Sequence, residues 1–374
     1  MMSHTALLGN NIIKVKAHNL QIILRILLQH EPVSRVQLAE LTGLSSTTIT
    51  NLIAELQDQD IVVEDGNQVR GQNGMGRPRR MLRLQPTARY AVGIHIGIGR
   101  IRVAVTDLFG QVLQSLTLDT DVTSPPTVVL DRVAIAVQKI LNQAAIDRTK
   151  LIGLGVGASG LVDVQAGINI LAPNLGWHNF PIRDHLGQML DLPVLVDNNV
   201  RAMALAESMF GLGRSADTLA FVYARVGVGA GFVIDGSLYR GKRAGAGEIG
   251  HTVIVPTGGI PCQCGNTGCL ETLISEPEIV RQAQIFARRE PESVLATQME
   301  QHGSLTAEAI FEAARLGDNK ARSLVEERAH YMGIALANLV NTLNPDMIIM
   351  GGLFASGQDL LLPPIISTVQ QRPR

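Results

Sequence analysis

Hydrophobic residues in the first sixty positions recur at the spacing of amphipathic helices. Three groups follow this spacing, the second more loosely than the others: Leu20, Ile23, Leu24 and Leu27; Val36, Leu38 and Leu41; and Ile49, Leu52, Ile53 and Leu56. Gly43 ends the second helix, and Ser45 or Ser46 can cap the third. Helices separated by a glycine turn at this spacing predict a helix-turn-helix.

The face of the third helix opposite its apolar stripe carries short hydrogen-bonding side chains, namely Thr47, Thr48, Thr50 and Asn51. A recognition helix uses such groups near its N-terminus to approach the major groove of DNA. The hydroxyls suit phosphates, and Asn51 can read a base edge. The alternative is a solvated polar face on an ordinary three-helix bundle.

A hairpin, or wing, is predicted after the third helix. Ile61, Val62 and Val63 form one strand, and its partner contains Met81, Leu82 and Leu84; a polar loop over 65–76 joins them. At the base of the loop, Arg77, Pro78, Arg79 and Arg80 follow Gly76. Arginines held on an extended backbone suit a narrow A·T-rich minor groove. These features favour DNA binding by residues 1–86, which carry nine basic and seven acidic residues.

From residue 87 the pattern changes to strands alternating with helices. Strands over 90–97 and 102–107 are joined by a turn at Gly99, and a similar pair over 218–225 and 231–235 is joined by a turn at 227–229. Each pair ends in an aspartate and is followed by a glycine turn. The repeat predicts a duplicated α/β domain over 87–374, with a cleft between two lobes.

Composition narrows the function classes. Hydrophobic residues make up 46% of the 374 positions and charged residues 17%, as in globular proteins of two or three domains. The net charge of −1 excludes a uniformly basic nucleic-acid coat, and 3% aromatic residues argue against a single-strand binder. No apolar run reaches the ~18 residues of a membrane span, and no secretory leader is recognisable, so a cytoplasmic protein is expected.

Three cysteines, Cys262, Cys264 and Cys269, fall within eight residues. An odd and tightly clustered set indicates a metal site rather than a disulfide framework. His251 is the nearest upstream candidate for a fourth ligand of tetrahedral Zn²⁺, and four protein ligands would make the site structural. The alternative is three reduced cysteines in a loop.

These motifs together resemble the ROK family of repressors, open reading frames and kinases. Gly-Glu-Ile-Gly-His at 247–251, followed by the cysteine motif at 262–271, is the most specific match; 157–163, 173–177 and 344–352 support it over essentially the whole chain. The resemblance implies a winged helix joined to an actin-like (ribonuclease-H-like), two-lobed sugar-kinase-type domain. Within the family, the chain resembles the transcriptional branch, which includes xylose and N-acetylglucosamine repressors. It also implies sugar contacts by Asn174, Asn198, Glu248, His251 and Glu271, and we place the neighbouring Asn199 in the same ligand site.

The kinase branch of the family differs from this chain at three ATP-handling positions. Asn199 stands where the kinases carry the catalytic Asp, and Asp197 lies two residues away. The first phosphate loop reads His95-Ile96-Gly97-Ile98-Gly99 and lacks the family's Asp and Thr; in the second, Val226 replaces a threonine and Arg225 adds a charge. A missing general base costs ~10²–10⁴-fold in rate, so we predict that the chain has no kinase activity.

The sequence therefore predicts a sugar-responsive regulator, most simply a repressor. Its partners are double-stranded operator DNA and a sugar or sugar phosphate, and it is expected to be a homodimer or homotetramer with structural zinc. One alternative is an active ATP-dependent sugar kinase with an accessory DNA-binding domain, and another is a constitutive DNA-binding protein with a vestigial cleft. A domain of this type is also expected to continue with a further strand and helix beyond 363–366.

Overall fold

The computed structural model of the chain describes residues 12–69, 79–242 and 245–371. Its N-terminal part contains three helices and an antiparallel sheet of order β1-β3-β2. The elements are α1 (Ile12–His30), β1 (Val33–Ser34), α2 (Arg35–Thr42), α3 (Ser46–Asp58), β2 (Val62–Val69) and β3 (Arg79–Leu84). This is the predicted winged helix-turn-helix.

The helix boundaries follow from local capping. Ser34 and Gln37 form a capping box at the start of α2, and Gly43 ends that helix with a φ of 67°. The Ser45 side chain caps α3 by accepting a hydrogen bond from the Thr48 backbone N–H. The end of α2 at Gly43 and the start of α3 at Ser45 therefore agree with the sequence prediction.

The core of this part is formed by the predicted helical stripes of α1 and α3 and by Leu38 of α2, with Val33, Val62, Leu82 and Leu84 from the strands. Val36 and Leu41, in contrast, are 47% and 55% exposed. The looser spacing of the second stripe explains this difference, because Leu38 alone among these three residues is buried.

The wing differs from its prediction in one respect. Strand β2 continues through the segment expected to be loop and ends at Val69, with a register shift between Asp65 and Gln68. A strand at the edge of a sheet can carry polar residues because it faces solvent. The polar composition of this segment therefore did not show where β2 ends. Arg77 and Pro78 lie outside the described residues, and Arg79 begins β3.

The first lobe is a mixed five-stranded sheet of order β11-β7-β4-β5-β6 with a small sheet of order β10-β9-β8 beside it. Its elements are β4 (Tyr90–Ile96), β5 (Arg100–Thr106), β6 (Val112–Asp119), α4 (Pro126–Gln143), β7 (Leu151–Ala158), β8 (Leu161–Asp163), β9 (Ile168–Ala172), β10 (Trp177–Phe180), α5 (Ile182–Leu190) and β11 (Val194–Asn198). The apolar faces of α4 and α5 pack on this sheet.

The second lobe is a four-stranded sheet of order β14-β13-β12-β15, covered by helices. Its elements are β12 (Thr218–Ala224), β13 (Val228–Ile234), β14 (Ser237–Tyr239), α7 (Glu271–Ile274), α8 (Glu276–Arg289), α9 (Val294–His302), α10 (Ala307–Arg315), α11 (Asn319–Leu343), β15 (Met347–Gly352), α12 (Leu353–Ser356) and α13 (Gln358–Gln370). Strands β4–β6 and β12–β14 are both antiparallel meanders, which confirms the predicted duplication.

Helix α6 (Asn199–Phe210) lies between the two lobes. A side chain at Gly157 of β7 would lie 3.2 Å from the Asn199 α-carbon, and one at Gly231 of β13 would lie 2.6 Å from the Ala204 side chain. Glycine at both positions lets α6 approach both sheets, so this helix connects the lobes. No helix in the described ranges is long and apolar enough to span a membrane.

Candidate functional site

The four predicted metal ligands converge in the structure. One donor atom each from His251, Cys262, Cys264 and Cys269 lies within 4.8 Å of the others. The His251 Nδ1 atom is 3.6 Å from the Cys262 Sγ, and the Cys264 and Cys269 Sγ atoms are also 3.6 Å apart. Donors in tetrahedral zinc sites lie about 2.0–2.3 Å from the ion, which places them about 3.5–3.8 Å from one another. The cluster therefore fits a tetrahedral metal ion.

The backbone around the cysteines is folded tightly enough to bring the sulfur atoms together. The Cys262 N–H donates to the Asn266 carbonyl, and Val253 and Cys269 form an isolated β-bridge. Gly268 has a φ of 69°, and a β-carbon there would lie 1.8 Å from the Val255 carbonyl oxygen. Glycine is therefore required at this turn.

The thiols differ in their protonation. Burial raises the pKa of Cys269 to about 12, whereas the Asn266 backbone N–H lowers the pKa of the exposed Cys264. The ligand form of cysteine is the thiolate, so a bound cation would have to displace the Cys269 proton. This donor set of three sulfurs and one imidazole suits a soft or borderline divalent ion.

Two carboxylates predicted to bind sugar lie next to the cysteine cluster. A Glu248 carboxylate oxygen is 4.0 Å from the His251 Nε2 atom. Although 45% of the Glu248 side chain is accessible, partial desolvation by the surrounding protein raises its pKa. The Glu271 carboxylate accepts a 3.0 Å hydrogen bond from the Val228 backbone N–H, which joins the metal segment to the turn between β12 and β13.

The predicted amide ligands Asn198 and Asn199 lie at the start of α6. Asn198 caps this helix, because its Oδ1 accepts from Val200 and Arg201 N–H groups; its Nδ2 donates to the Gly160 carbonyl. These bonds give Asn198 a structural role and leave one Nδ2 hydrogen for another acceptor. Asn199 Nδ2 donates to the Ser159 hydroxyl over 3.2 Å.

Asn174 lies apart from these residues in the hydrogen-bond pattern. It is exposed in a short turn, Pro173–Leu175. Within the described ranges, no hydrogen bond connects Asn174 to the other residues predicted to bind the sugar. The structure thus places Glu248, His251 and Glu271 together and Asn198 and Asn199 together. Contact of all six with a sugar stays a prediction.

Asp197 makes an interlobe interaction that sequence reasoning missed. Its two carboxylate oxygens accept 2.7 Å hydrogen bonds from the Nε atoms of Arg201 and Arg240. Arg201 is buried in α6, whereas Arg240 follows β14 in the second lobe. Both carboxylate oxygens are engaged by guanidinium groups, so Asp197 is badly placed to substitute for a catalytic base. Its i, i+4 spacing from Arg201 was the available indication.

Arg225 of the second phosphate loop and the glycine pair Gly351 and Gly352 have different environments in the second lobe. The Arg225 guanidinium donates to Glu276 over 3.0 Å, so its charge is paired within the second lobe. Gly351 and Gly352 pack against β12, where a β-carbon on Gly352 would lie 2.1 Å from the Ala224 carbonyl. Close packing against β12 therefore accounts for this glycine pair.

The predicted DNA-contacting face of α3 is available to a partner. Thr47, Thr50 and Asn51 are exposed and Thr48 is half-buried. The Thr50 hydroxyl donates to the Ser46 carbonyl, which leaves its oxygen lone pairs free to accept. On the wing, Arg80 pairs with Glu64 at 2.7 Å while 65% of its side chain stays exposed. Contacts of this face with DNA stay a prediction.

The winged helix contacts both lobes, and nothing in the sequence marks these contacts. Arg214, just after α6, donates to the Gln29 carbonyl at 3.2 Å, and the Gln29 amide donates back to the Arg214 carbonyl. Phe109, in the β5–β6 turn, packs against the core of the winged helix. The Arg25 guanidinium lies on Gly236 in the equivalent β13–β14 turn.

Comparisons with known proteins place both parts of the chain. The ROK family profile matches residues 91–373, and a winged helix-turn-helix DNA-binding profile matches 19–63. A xylose repressor from Caldicellulosiruptor bescii is 31% identical over 98% of this chain and 90% of its own length. A glucokinase from Halalkalibacterium halodurans is 38% identical over 74% of this chain and 84% of its own length.

A solved structure shares the whole arrangement. A ROK family transcriptional regulator, described as a homologue of the Escherichia coli MLC protein, superposes with a TM-score of 0.82 at 28% identity; the match covers 96% of this chain and 89% of that one. The profile match and these relatives confirm the resemblance seen in the motifs. The chain belongs to the ROK family and carries an N-terminal winged helix-turn-helix.

Proposed function

We propose that this protein is a sugar-responsive transcriptional repressor. The observation that carries the proposal is the exposed polar face of α3, presented by a winged helix that is joined to a two-lobed sugar-kinase-type body. Relatives that match over almost the whole chain are named as repressors, including the xylose repressor of Caldicellulosiruptor bescii. We assign residues 1–86 to DNA binding and 87–374 to ligand binding.

The sugar would bind between the two lobes, near the start of α6. Glu248, His251 and Glu271 approach from the second lobe, and Asn198 and Asn199 approach from α6. A sugar presents hydroxyls that both donate and accept, and a set of carboxylates and amides can satisfy both roles. A polar network that becomes buried around a bound sugar also rejects sugars that lack the matching hydroxyl.

Zinc is the ion that this donor set fits best, and we assign it a structural role. His251, Cys262, Cys264 and Cys269 would occupy all four tetrahedral positions, so none remains for a substrate. The ion would supply a fixed crosslink between His251 and the cysteine loop. By fixing the imidazole, it would also orient the Nε2 atom that faces Glu248.

The geometry favours ligand sensing over phosphoryl transfer. Asn199 has no proton-accepting carboxylate, and Asp197 is held by Arg201 and Arg240. Arg225 is paired with Glu276 rather than directed at a nucleotide site. The ATP-handling positions are therefore altered in several separate elements, as expected for a receptor without turnover.

Helix α6 provides a route from the ligand to the DNA-binding head. Its N-terminus carries Asn198 and Asn199, and its C-terminal end leads to Arg214, which contacts Gln29 of α1. A sugar that binds one arrangement of the lobes more tightly would shift the population toward it. In a homodimer or homotetramer, this shift would change the spacing of the two recognition helices relative to the half-sites.

The experiment that tests the proposal starts from the full-length protein with zinc. Binding sites are selected from random-sequence DNA duplexes, and the best site is used in fluorescence-anisotropy titrations with a panel of mono-, di- and amino-sugars and their phosphates. We expect sequence-selective binding that at least one sugar weakens. Absence of a selected DNA site at moderate salt would contradict the proposal.

A matched variant checks the route through α6. Arg214→Ala removes the contact with α1 but touches neither the predicted sugar ligands nor α3. We expect unchanged sugar affinity and a smaller effect of sugar on DNA binding. Equal coupling in the variant and the wild type would show that the signal travels by another route.

A second candidate function is an ATP-dependent sugar kinase, which is favoured by the 38% identity to the Halalkalibacterium halodurans glucokinase. A coupled ADP-release assay with the same sugar panel separates the two functions. Sugar-dependent turnover that is lost in Asn199→Ala would establish the kinase.

A further inference from the structure

The wing carries an acidic residue beside a predicted DNA contact. Glu64 is half-buried on β2, and its carboxylate pairs with Arg80 on β3. DNA presents a dense array of negative phosphates, so a carboxylate near the contact surface opposes binding by simple electrostatics. A role for Glu64 in DNA binding therefore has to outweigh this electrostatic cost.

The two oxygen atoms of the Glu64 carboxylate are held by two different arginines. Its Oε1 atom accepts a 2.8 Å hydrogen bond from Arg35 Nη1, and its Oε2 atom accepts a 2.7 Å hydrogen bond from Arg80 Nη1. Arg35 is anchored in turn on α3, because its Nη2 atom donates to the Gln57 Oε1 atom over 3.0 Å. These four side chains connect α3, α2, β2 and β3 in one series of hydrogen bonds.

The two arginines differ in exposure, which gives this series a direction. The Arg35 side chain is 30% exposed and the Arg80 side chain is 65% exposed. An ion pair between two freely moving surface side chains stabilises little, but here Arg35 already fixes the carboxylate. Within the described ranges Arg80 forms no hydrogen bond other than that to Glu64, so its remaining N–H groups are available to DNA.

The strand ladder alone does not fix the direction of Arg80. Strands β2 and β3 change register between Asp65 and Gln68, and Gln68 is the residue that pairs with Arg80. Irregularities of this kind bend a strand and change the direction of its side chains. Glu64 lies before the irregularity, where it pairs regularly with Leu82. The ion pair therefore ties Arg80 to the regular part of the sheet.

Holding an arginine in place before DNA arrives favours binding. Immobilising one flexible side chain at an interface costs a factor of about 2–10 in affinity, and a side chain that is already ordered avoids part of this loss. The opposing repulsion is small, because two guanidinium groups neutralise the Glu64 carboxylate and salt screens the remainder over ~8 Å. The balance of these two effects favours the carboxylate.

We propose that Glu64 is a positioning residue for DNA recognition, which holds the Arg80 guanidinium in the direction required for contact with DNA. This inference rests on the proposed DNA-binding function and assigns a role to a residue outside the predicted contact set. Because Arg35 and Gln57 anchor Glu64, the wing arginine is oriented relative to α3, the predicted recognition helix.

Fluorescence anisotropy with the full-length, zinc-loaded protein tests this inference. The probes are the DNA site selected from random sequences and an unrelated duplex of the same length, at one salt concentration. We expect Glu64→Gln to weaken binding to the selected site by about 2–10-fold, although it removes a negative charge. Binding to the unrelated duplex should be unchanged or tighter. The Tm of every variant is measured, and titrations are performed well below the lowest value.

A double-mutant cycle shows whether Glu64 acts through Arg80. Glu64→Gln should have no further effect on binding to the selected site when Arg80→Gln is already present. A purely structural role of Glu64 would give the same loss in both backgrounds.

Asp65→Asn is the matched control. Asp65 is the neighbouring half-buried carboxylate and pairs with Arg83 at 2.9 Å, so this change removes the same charge but leaves the pair of Glu64 and Arg80 in place. It should bind the selected site as tightly as the wild type or more tightly.

The outcomes separate this inference from the proposed function. If the wild type binds its selected site and Glu64→Gln binds that site equally well or better, the inference fails while the DNA-binding function stands. An equal loss with and without Arg80, or an equal loss in Asp65→Asn, would also overturn it. If the wild type selects no DNA site, both proposals fail.

Discussion

The metal cluster offers a sharp test because its ligands differ in exposure. Cys269 is buried, so any substitution there disturbs packing, but Cys264 is exposed and makes few packing contacts. Cys264→Ser changes one sulfur to oxygen at the surface. Substitutions at exposed positions without a special role usually change stability by about 0.5 kcal/mol or less.

A metal role predicts a much larger effect at this position. Structural zinc sites contribute ~10–16 kcal/mol of apparent binding free energy in small peptides at pH 7, and this energy is coupled to folding. Here the ion would hold the segment over 251–269 against the second lobe, where Leu270 N–H donates to the Thr252 carbonyl. Loss of one of four ligands should cost at least about 2–4 kcal/mol. At about 2–4 °C per kcal/mol for a domain of this size, Tm should fall by about 4–16 °C.

The assay is differential scanning calorimetry combined with metal analysis of the purified protein. Gln263→Ser is the matched control, because Gln263 is the exposed residue directly before Cys264. We expect one zinc per chain and an unchanged Tm in the control, with reduced zinc and a lower Tm in Cys264→Ser. If the two variants have the same zinc content and the same Tm, the cluster is a set of reduced cysteines and the structural-metal assignment is wrong.

Three further predictions concern the DNA-binding head and the ligand cleft. Asn51→Ala should weaken binding to the selected DNA site by ~1–3 kcal/mol, measured by anisotropy at fixed salt, and an unchanged affinity would remove Asn51 from base recognition. Asn199→Asp should not create ATP turnover, because the other ATP-handling positions stay altered; a hundredfold gain in ADP release would contradict this. Hydrogen bonds from Arg35 and then Arg80 lower the pKa of Glu64, so this carboxylate stabilises the fold above its ordinary pKa of 4.5 and loses that effect as the pH falls. Glu64→Gln should therefore lower Tm at pH 7 but have little effect near pH 3, and an equal loss at both values would refute the assignment.

Local chemistry explains why much of the fold could be predicted. Ser34, Gly43 and Ser45 mark helix ends because capping depends on the residues within one turn. The cysteine cluster was also visible, because ligands close in the chain need only a tight turn to meet. His251 lies eleven positions upstream of Cys262. It was predicted as the fourth metal ligand only because it is the nearest upstream candidate.

The site was less completely predicted, because hydrogen-bond partners are not encoded at fixed spacing. Asn198 was assigned to the sugar, which stays a prediction, but its capping of α6 and its hydrogen bond to the Gly160 carbonyl were not predicted. Asp197 was considered as a substitute base, and the structure shows it held by two arginines, one of them 43 residues away. Such pairings depend on how the lobes meet.

The sequence by itself determined the winged helix-turn-helix, the duplicated strand meanders and the cysteine motif, since each depends on periodicity, capping or spacing within a short segment. Only the tertiary structure decided that α6 lies between both sheets and that Arg214 contacts α1. It also decided that Glu64 joins Arg35 of α2 to Arg80 of the wing. The reason is that close packing joins residues far apart in the chain, and neither composition nor local pattern specifies which surfaces will meet.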